Sequence, residues 1–411
     1  MENYNELLGS LSSLREELKS AKTPFEKLRI HMALGLTYLL LSDYENEREN
    51  ILSALIEFDE AEKIAKSIPD NNELAEIESN KGFVFYKLAH IEDSIHNLDV
   101  ASQHYLNALD LLKDTDDAAK KIRLFYNLAN TYLLSNDISK VKDALAYFEK
   151  ALELKDKAKD KKIVGLIYHG MGVVNFSLGK LEQNVQKRQE YFENAAKDFE
   201  ESLNYFDPDD LLDIGSSKSH LGSSLIEIAT LTGKKEFFDK ARENYNAVLE
   251  IYKDESNEDY ATVLFDIGLL HLNESRLQDL KDDERVTFLE QAIDYFEQAL
   301  PYFPKEDHKE SFIRINYELA TCFRELFFIT NKAELLEEIK EHLEGVIDDI
   351  DKNNNPYTYL TSSFYLGEAY FYTGDKEKAL KYYEDALDIA KNFDSALADS
   401  IKDVVDRVKV L

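Results

Sequence analysis

Tryptophan is absent from this 411-residue sequence, cysteine occurs once, proline six times and glycine fourteen times. The lone Cys322 excludes a disulfide within the chain. So few helix-breaking residues suit long helices better than a β protein with many turns. Long apolar runs are missing too. Stretches such as Tyr38–Leu41 and Phe327–Ile329 are far too short to cross a bilayer. The start, Met1-Glu2-Asn3-Tyr4-Asn5-Glu6, has neither the basic nor the apolar segment of a secretory signal, so a cytoplasmic address is expected. Basic residues are scarce relative to acidic ones, 49 against 81, for a net charge of −32. That balance argues against nucleic acid or a membrane surface as partner, because affinity for either rests on Lys and Arg neutralising phosphates. It favours solubility and is compatible with a basic partner. Hydrophobic residues still make up 44% and charged ones 32%, enough apolar material for a packed core.

What is present is a repeat. Residues 366–390 read LGEAYFYTGDKEKALKYYEDALDIA. A small residue equivalent to Gly367 recurs upstream at Gly35, Gly82, Ala129, Gly172, Gly222, Gly268 and Ala320, at intervals of 47, 47, 43, 50, 46, 52 and 47. Each is followed by a small–aromatic–small triplet at helical spacing, from Ala54-Phe58-Ala61 in the first copy to Ala379-Tyr383-Ala386 in the last. The seventh, Ile339-Leu343-Val346, is the weakest. Small residues let two antiparallel helices approach closely, and the aromatics are expected to fill the gaps between adjacent hairpins. A single hairpin cannot bury its apolar face, so neighbours must stack. These residues therefore belong to the core and not to a site.

The pattern resembles the tetratricopeptide repeat on Leu366, Gly367, Tyr370, Ala379, Tyr383 and Ala386, and departs from it at the motif's opening position, usually Trp, which holds Ser363. The resemblance covers nearly the whole chain. It implies an all-α, TPR-like solenoid, a right-handed superhelix of eight helical hairpins with terminal capping helices. The expected boundaries are 1–27 for the N-terminal cap, 28–393 for the repeats and 394–411 for the C-terminal cap. About eighteen helices, most of about 20 residues, and no β-sheet are expected.

The repeats are longer than the family's 34 residues. Between the small residue and the triplet there are seven extra residues in four copies, about two helical turns. Gly374, Gly233 and Asn331 mark turns that divide this excess between the two helices. The fourth and sixth copies carry still more, as extra turns or a longer loop. Turn residues mark the connections between repeats, among them Pro69-Asp70-Asn71, Asp207-Pro208-Asp209, Ser256-Asn257 and Asn355-Pro356. At the N-terminus Leu7, Leu8, Leu11, Leu14 and Leu18 form an amphipathic stretch, followed by the capping box Thr23-Pro24-Phe25-Glu26. At the other end Leu397, Ile401, Val404, Val405 and Val408 trace one helical face.

Little sequence is left for catalysis. There is no phosphate-cradling glycine loop, Cys pair, zinc-protease helix or nucleophile elbow, so no enzyme activity and no cofactor is expected. His90, His96 and His104 cluster, but their spacing does not put all three on one helix face, and no metal site is expected there. Cys322 falls where a small buried residue belongs. The resemblance points instead to a concave groove lined by the first helix of each repeat. Residues expected there are Phe83, Tyr86, Tyr126, Asn127, Asn130, His169, Phe176, Phe265, Tyr317, Arg324, Phe364 and Phe371. Aromatics and Arg anchor interfaces, although the longer helices could also bury the aromatics. In peptide-binding members a pair of Asn at the positions of Asn127 and Asn130 bonds the bound backbone. The Lys pattern that clamps chaperone tails is absent.

The function expected is a non-catalytic scaffold or adaptor that holds a peptide or helical segment of a protein partner. The alternative is a peptide-sensing regulator similar to long-repeat bacterial regulators, and the remote one an enzyme. The partner is expected to be a protein or peptide, compatible with basic character, with neither nucleic acid nor membrane involved; self-association stays open.

Overall fold

The computed structural model describes residues 2–68, 70–135, 137–253, 257–392 and 394–410. Pro69 and Ser256 of the expected turns, and Phe393 at the expected end of the repeats, lie outside the described residues. Among the described residues there are eighteen α-helices and no strand. The chain divides into two compact units, Met1–Asp210 and Leu211–Leu411.

In the N-terminal unit α1 (Glu2–Ser20) precedes four hairpins. These are α2 (Pro24–Leu41) with α3 (Glu47–Ala65), α4 (Asn71–Leu88) with α5 (Ser94–Leu111), α6 (Ala118–Leu133) with α7 (Ile138–Leu152), and α8 (Lys162–Leu181) with α9 (Val185–Leu203). In the C-terminal unit the hairpins are α10 (Leu211–Thr232) with α11 (Lys235–Tyr252), α12 (Asn257–Glu274) with α13 (Asp282–Ala299), α14 (Lys309–Thr330) with α15 (Glu334–Glu344), and α16 (Pro356–Thr373) with α17 (Lys376–Ala390), followed by α18 (Ser395–Val410). Within each unit the second helix of a hairpin packs on the first helix of the next, which is how a helical solenoid grows. Helix α15, in the copy with the weakest triplet, is the shortest at 11 residues.

The role of the recurring glycine is steric. A Cβ at Gly35, Gly172 or Gly222 would come within 2.5, 2.7 and 2.8 Å of the rings of Phe58, Phe199 and Tyr245, the aromatic of the same hairpin. Gly82, Gly268 and Gly367 meet Tyr105, Phe296 and Tyr383 in the same way. The triplet aromatic thus fills its own hairpin, and the expectation that it bridges adjacent ones is corrected. The third copy differs: with Ala129 in place of glycine, the ring of Phe148 rests on Gly170 in the following hairpin.

The turn signals read from sequence are where the backbone needs them. Gly233 and Gly374 adopt φ of 69° and 89°, and Asn331 55°, all in the left-handed region at the ends of α10, α16 and α14. Thr23 and Glu26 form the capping box that starts α2. The fourth copy absorbs its excess in two long helices of 20 and 19 residues. The sixth divides it between the loop 275–281 and the start of α13, where Arg285 Nε donates to the Ser275 carbonyl at 3.1 Å. Leu11 of α1 is buried with Leu7, Leu14 and Leu18 packed beside it, while Leu8 stays exposed. On α18 Ile401, Val405 and Val408 are buried, and Leu397 and Val404 are half-buried. No described helix is long and apolar enough to cross a membrane.

Candidate ligand-binding face

Side chains three and four residues apart share one side of a helix, so the first helices of successive hairpins present a common face. In the N-terminal unit α4 and α6 are neighbours, and α6 and α8 likewise. Lys120 Nζ on α6 pairs with Glu76 on α4 at 3.0 Å. Phe83 is exposed at 39% and stacks on Tyr86, with centroids 6.2 Å apart; Tyr86 in turn meets His90 edge-on at 5.2 Å. On α6 Tyr126 tilts against Phe148 at 6.1 Å. Asn130 Nδ2 donates one of its two N–H groups to the Tyr126 carbonyl at 3.1 Å. The two asparagines are therefore not equivalent, because the Asn127 amide is not held within its own helix. His169 lies edge-on to Phe199 at 5.3 Å, and Phe176 tilts against Phe192 at 5.5 Å.

In the C-terminal unit the same stripe is engaged differently. Phe265 is 5% exposed, packed against Phe296 at 5.3 Å and covered by the Arg314 guanidinium at 4.5 Å. Its place is in the core, because the neighbouring first helix closes over it. Tyr317 stacks on Tyr365 of the next hairpin, 6.4 Å away and 9° from parallel. Arg324 binds Glu368 through two nitrogens, one bond being 3.0 Å, and lies over the rings of Tyr365 and Phe328 at 4.5 and 4.8 Å. Phe364 meets Tyr383 edge-on, and Phe371 meets Tyr372.

Two carboxylates, Asp266 and Glu318, also stand on this stripe. Burial pushes Asp266 up to about 7 against the opposing pull of Arg314. Burial likewise raises Glu318, opposed by Arg276 and Arg314. Their signal was available: each stands two residues before the small residue of its repeat, the register that holds Asn127 in the third copy. Glu318 also lines, with Arg314, Tyr317, Lys309, Asp349 and Asp351, an opening of about 570 Å³ between α14, α16 and the loop before α16.

The remaining candidates have structural places. Cys322 is fully buried, and burial pushes its thiol well above the ordinary range. His104 Nδ1 lies 2.8 Å from Glu78 Oε2, tying α5 to α4, while His96 is exposed at the start of α5. No group of three metal-binding side chains occurs among the described residues.

Antiparallel hairpins with a glycine set under an aromatic ring, stacked through their second helices, define a helical-repeat protein. The tetratricopeptide repeat model matches residues 362–393, which span most of the last hairpin, and a hairpin of the same kind is built eight times among the described residues. It is similar to Regulatory protein RapG of Bacillus subtilis (strain 168), 25% identical over 158 residues. That stretch is 38% of this chain and 40% of the relative, so well under half of the relative's length is matched. Among solved structures, the apo form of RapI is 17% identical with a TM-score of 0.42, covering 75% of this chain and 99% of that one. A signal-transduction ATPase with a tetratricopeptide repeat sensor, from Pyrococcus horikoshii, is 16% identical with a TM-score of 0.47, covering 98% of this chain and 69% of that one.

Proposed function

We propose that this chain is a non-catalytic interaction protein whose first-helix face in the second to fourth repeats holds a peptide or helical segment of a partner protein. The observation that carries the reading is the Asn127 amide, free of its own helix, on a face that also presents the exposed Phe83–Tyr86 stack. An amide side chain can donate to and accept from any peptide backbone, while aromatic faces select side chains. The charge of −32 favours a segment with Lys or Arg, attracted by a field that salt weakens.

A second reading is a peptide-responsive regulator. The likeness to a protein named as regulatory supports it, and so does the opening lined by Arg314, Tyr317 and Glu318, which offers both signs of charge to a short peptide. Asn127→Ala combined with Asn130→Ala separates the two, measured against the partner that co-purifies with the tagged chain. Loss of affinity at unchanged melting temperature supports the first reading. Unchanged affinity, with loss instead on Arg314→Ala, moves the site to the C-terminal unit and supports the second. A partner that cross-links only away from both faces sinks both.

A further inference from the structure

One periodic feature of the sequence is used neither by the core nor by the first-helix face. Nine residues after the small residue of each repeat, inside the stretch that makes these repeats long, seven of eight copies carry an apolar side chain. In the N-terminal unit this register holds Tyr44, Ile91, Ile138 and Leu181, exposed at 48, 37, 48 and 59%. The equivalent residues of the C-terminal unit, Leu231, Leu277 and Ile329, are half-buried. Scattered exposed apolar residues need no explanation, but one recurring at a fixed register on consecutive turns does. Around the second and third turns Ile95 and Leu134 extend the strip, at 72 and 41% exposure.

The turns that carry it stand side by side. Lys87 pairs with Asp43 at 2.5 Å and Arg48 with Glu92 at 2.8 Å, joining the first turn to the second. Lys140 pairs with Asp99 at 2.5 Å, joining the second to the third. Residues 41–49 and 87–99 contain seven carboxylates and two basic side chains, Arg48 and Lys87, both engaged in those pairs. The result is a row of aliphatic and aromatic rungs, one hairpin apart, bordered by excess negative charge at the first two turns, while the third, with Asp137, Lys140, Lys142 and Asp143, is balanced.

We propose that this rim of the first three hairpins is a docking surface for a basic amphipathic helix of a partner protein, distinct from the first-helix face. Packed helices lie about 8–10 Å apart. Seven residues of an α-helix rise about 10.5 Å. A helix with an apolar residue every seven positions therefore meets one rung per hairpin, with Lys or Arg between them facing the carboxylates. A second copy of this chain is a poor occupant, because it would set like charges against each other.

The test uses the full chain and a fluorescent three-heptad synthetic helix with Leu at positions a and d and Lys on its flanks. A control peptide of equal charge carries Ser in place of Leu. Anisotropy titration at low salt should show binding of the Leu peptide. Ile91→Lys with Ile138→Lys should weaken it about tenfold or more, while Asn127→Ala leaves it unchanged. The milder pair Ile91→Gln with Ile138→Gln carries the same expectation should the lysine pair lower the melting temperature. Equal binding of the Ser control would reduce the rim to plain charge attraction and overturn the proposal. So would wild-type affinity in both rim variants, or loss of binding on Asn127→Ala in their place. A dimer of the unliganded chain in sedimentation velocity, dispersed by the rim variants, would reassign the rim to self-contact and overturn it as well.

Discussion

The two units are built from the same hairpin, and both tie successive first helices by ion pairs, yet they engage the aromatic and amide side chains of those faces differently. In the C-terminal unit the stripe residues pair with side chains of the neighbouring repeat: Tyr317 with Tyr365, Arg324 with Glu368, Arg314 with Phe265, and Arg276 with Glu325 at 2.7 Å. In the N-terminal unit Phe83 stacks within its own helix on Tyr86, and the Asn127 side-chain amide has no hydrogen-bond partner among the described residues. The difference teaches that motif position alone does not make a binding residue. A stripe side chain becomes structural when its counterpart one repeat on is complementary, and stays available when it is not.

The core should be indifferent to this contrast. Gly172→Leu and Gly222→Leu each drive a side chain into the ring beneath, Phe199 or Tyr245, and should each cost about 3 kcal/mol in urea unfolding. Equal losses would show that the units differ in their faces only. A tolerated substitution in one unit would mean that its hairpin is packed less closely than the other.

Much of this architecture was legible in advance. The glycine and triplet spacings locate all eight hairpins, and Gly374, Gly233 and Asn331 mark helix ends because an αL residue must stop each one. The partner of the triplet aromatic was misjudged, since spacing alone cannot say whether a ring turns toward its own hairpin or the next. Phe265 is core because Arg314, 49 residues later, closes over it, a long-range fact that no local pattern carries. Asp266 and Glu318 stand at the register of the stripe, but a carboxylate there reads in sequence as an ordinary solvated charge, and its burial depends on the neighbouring repeats.

Removing one tie per unit should widen the contrast. Glu368→Ala leaves the Arg324 guanidinium, 27% exposed between two rings, without its carboxylate, and should cost about 2 kcal/mol. Glu76→Ala breaks the tie from α4 to α6, but that carboxylate is 43% exposed, so the loss should stay below about 0.5 kcal/mol. Urea unfolding of the two variants checks the difference, and a larger loss for Glu76→Ala would reverse the comparison.

The pH dependence has a sign as its signature. Asp266 has its carboxyl raised by burial to about 7, against 3.8 for a free Asp. Between those values the unfolded chain has lost the proton while the folded chain keeps it, so stability must fall as pH rises through that window and level off above about 7. Asp266→Asn removes the charge, and with it the slope. The variant should be more stable than the parent at pH about 8 and indistinguishable from it near pH 4. Glu78 in the N-terminal unit behaves oppositely. Burial opposes its charge, but hydrogen bonds from His104 and Asn107 outweigh that and hold the carboxyl below its usual 4.5. Its contribution is present above 4.5 and lost as pH falls through the folded value, so Glu78→Gln should destabilise at neutral pH and matter little in strong acid. Urea unfolding at several pH values reads both slopes. If Asp266→Asn destabilises at pH about 8, then Arg314 is holding a charged Asp266, the C-terminal face is fully ion-paired, and the contrast between the units is stronger than drawn.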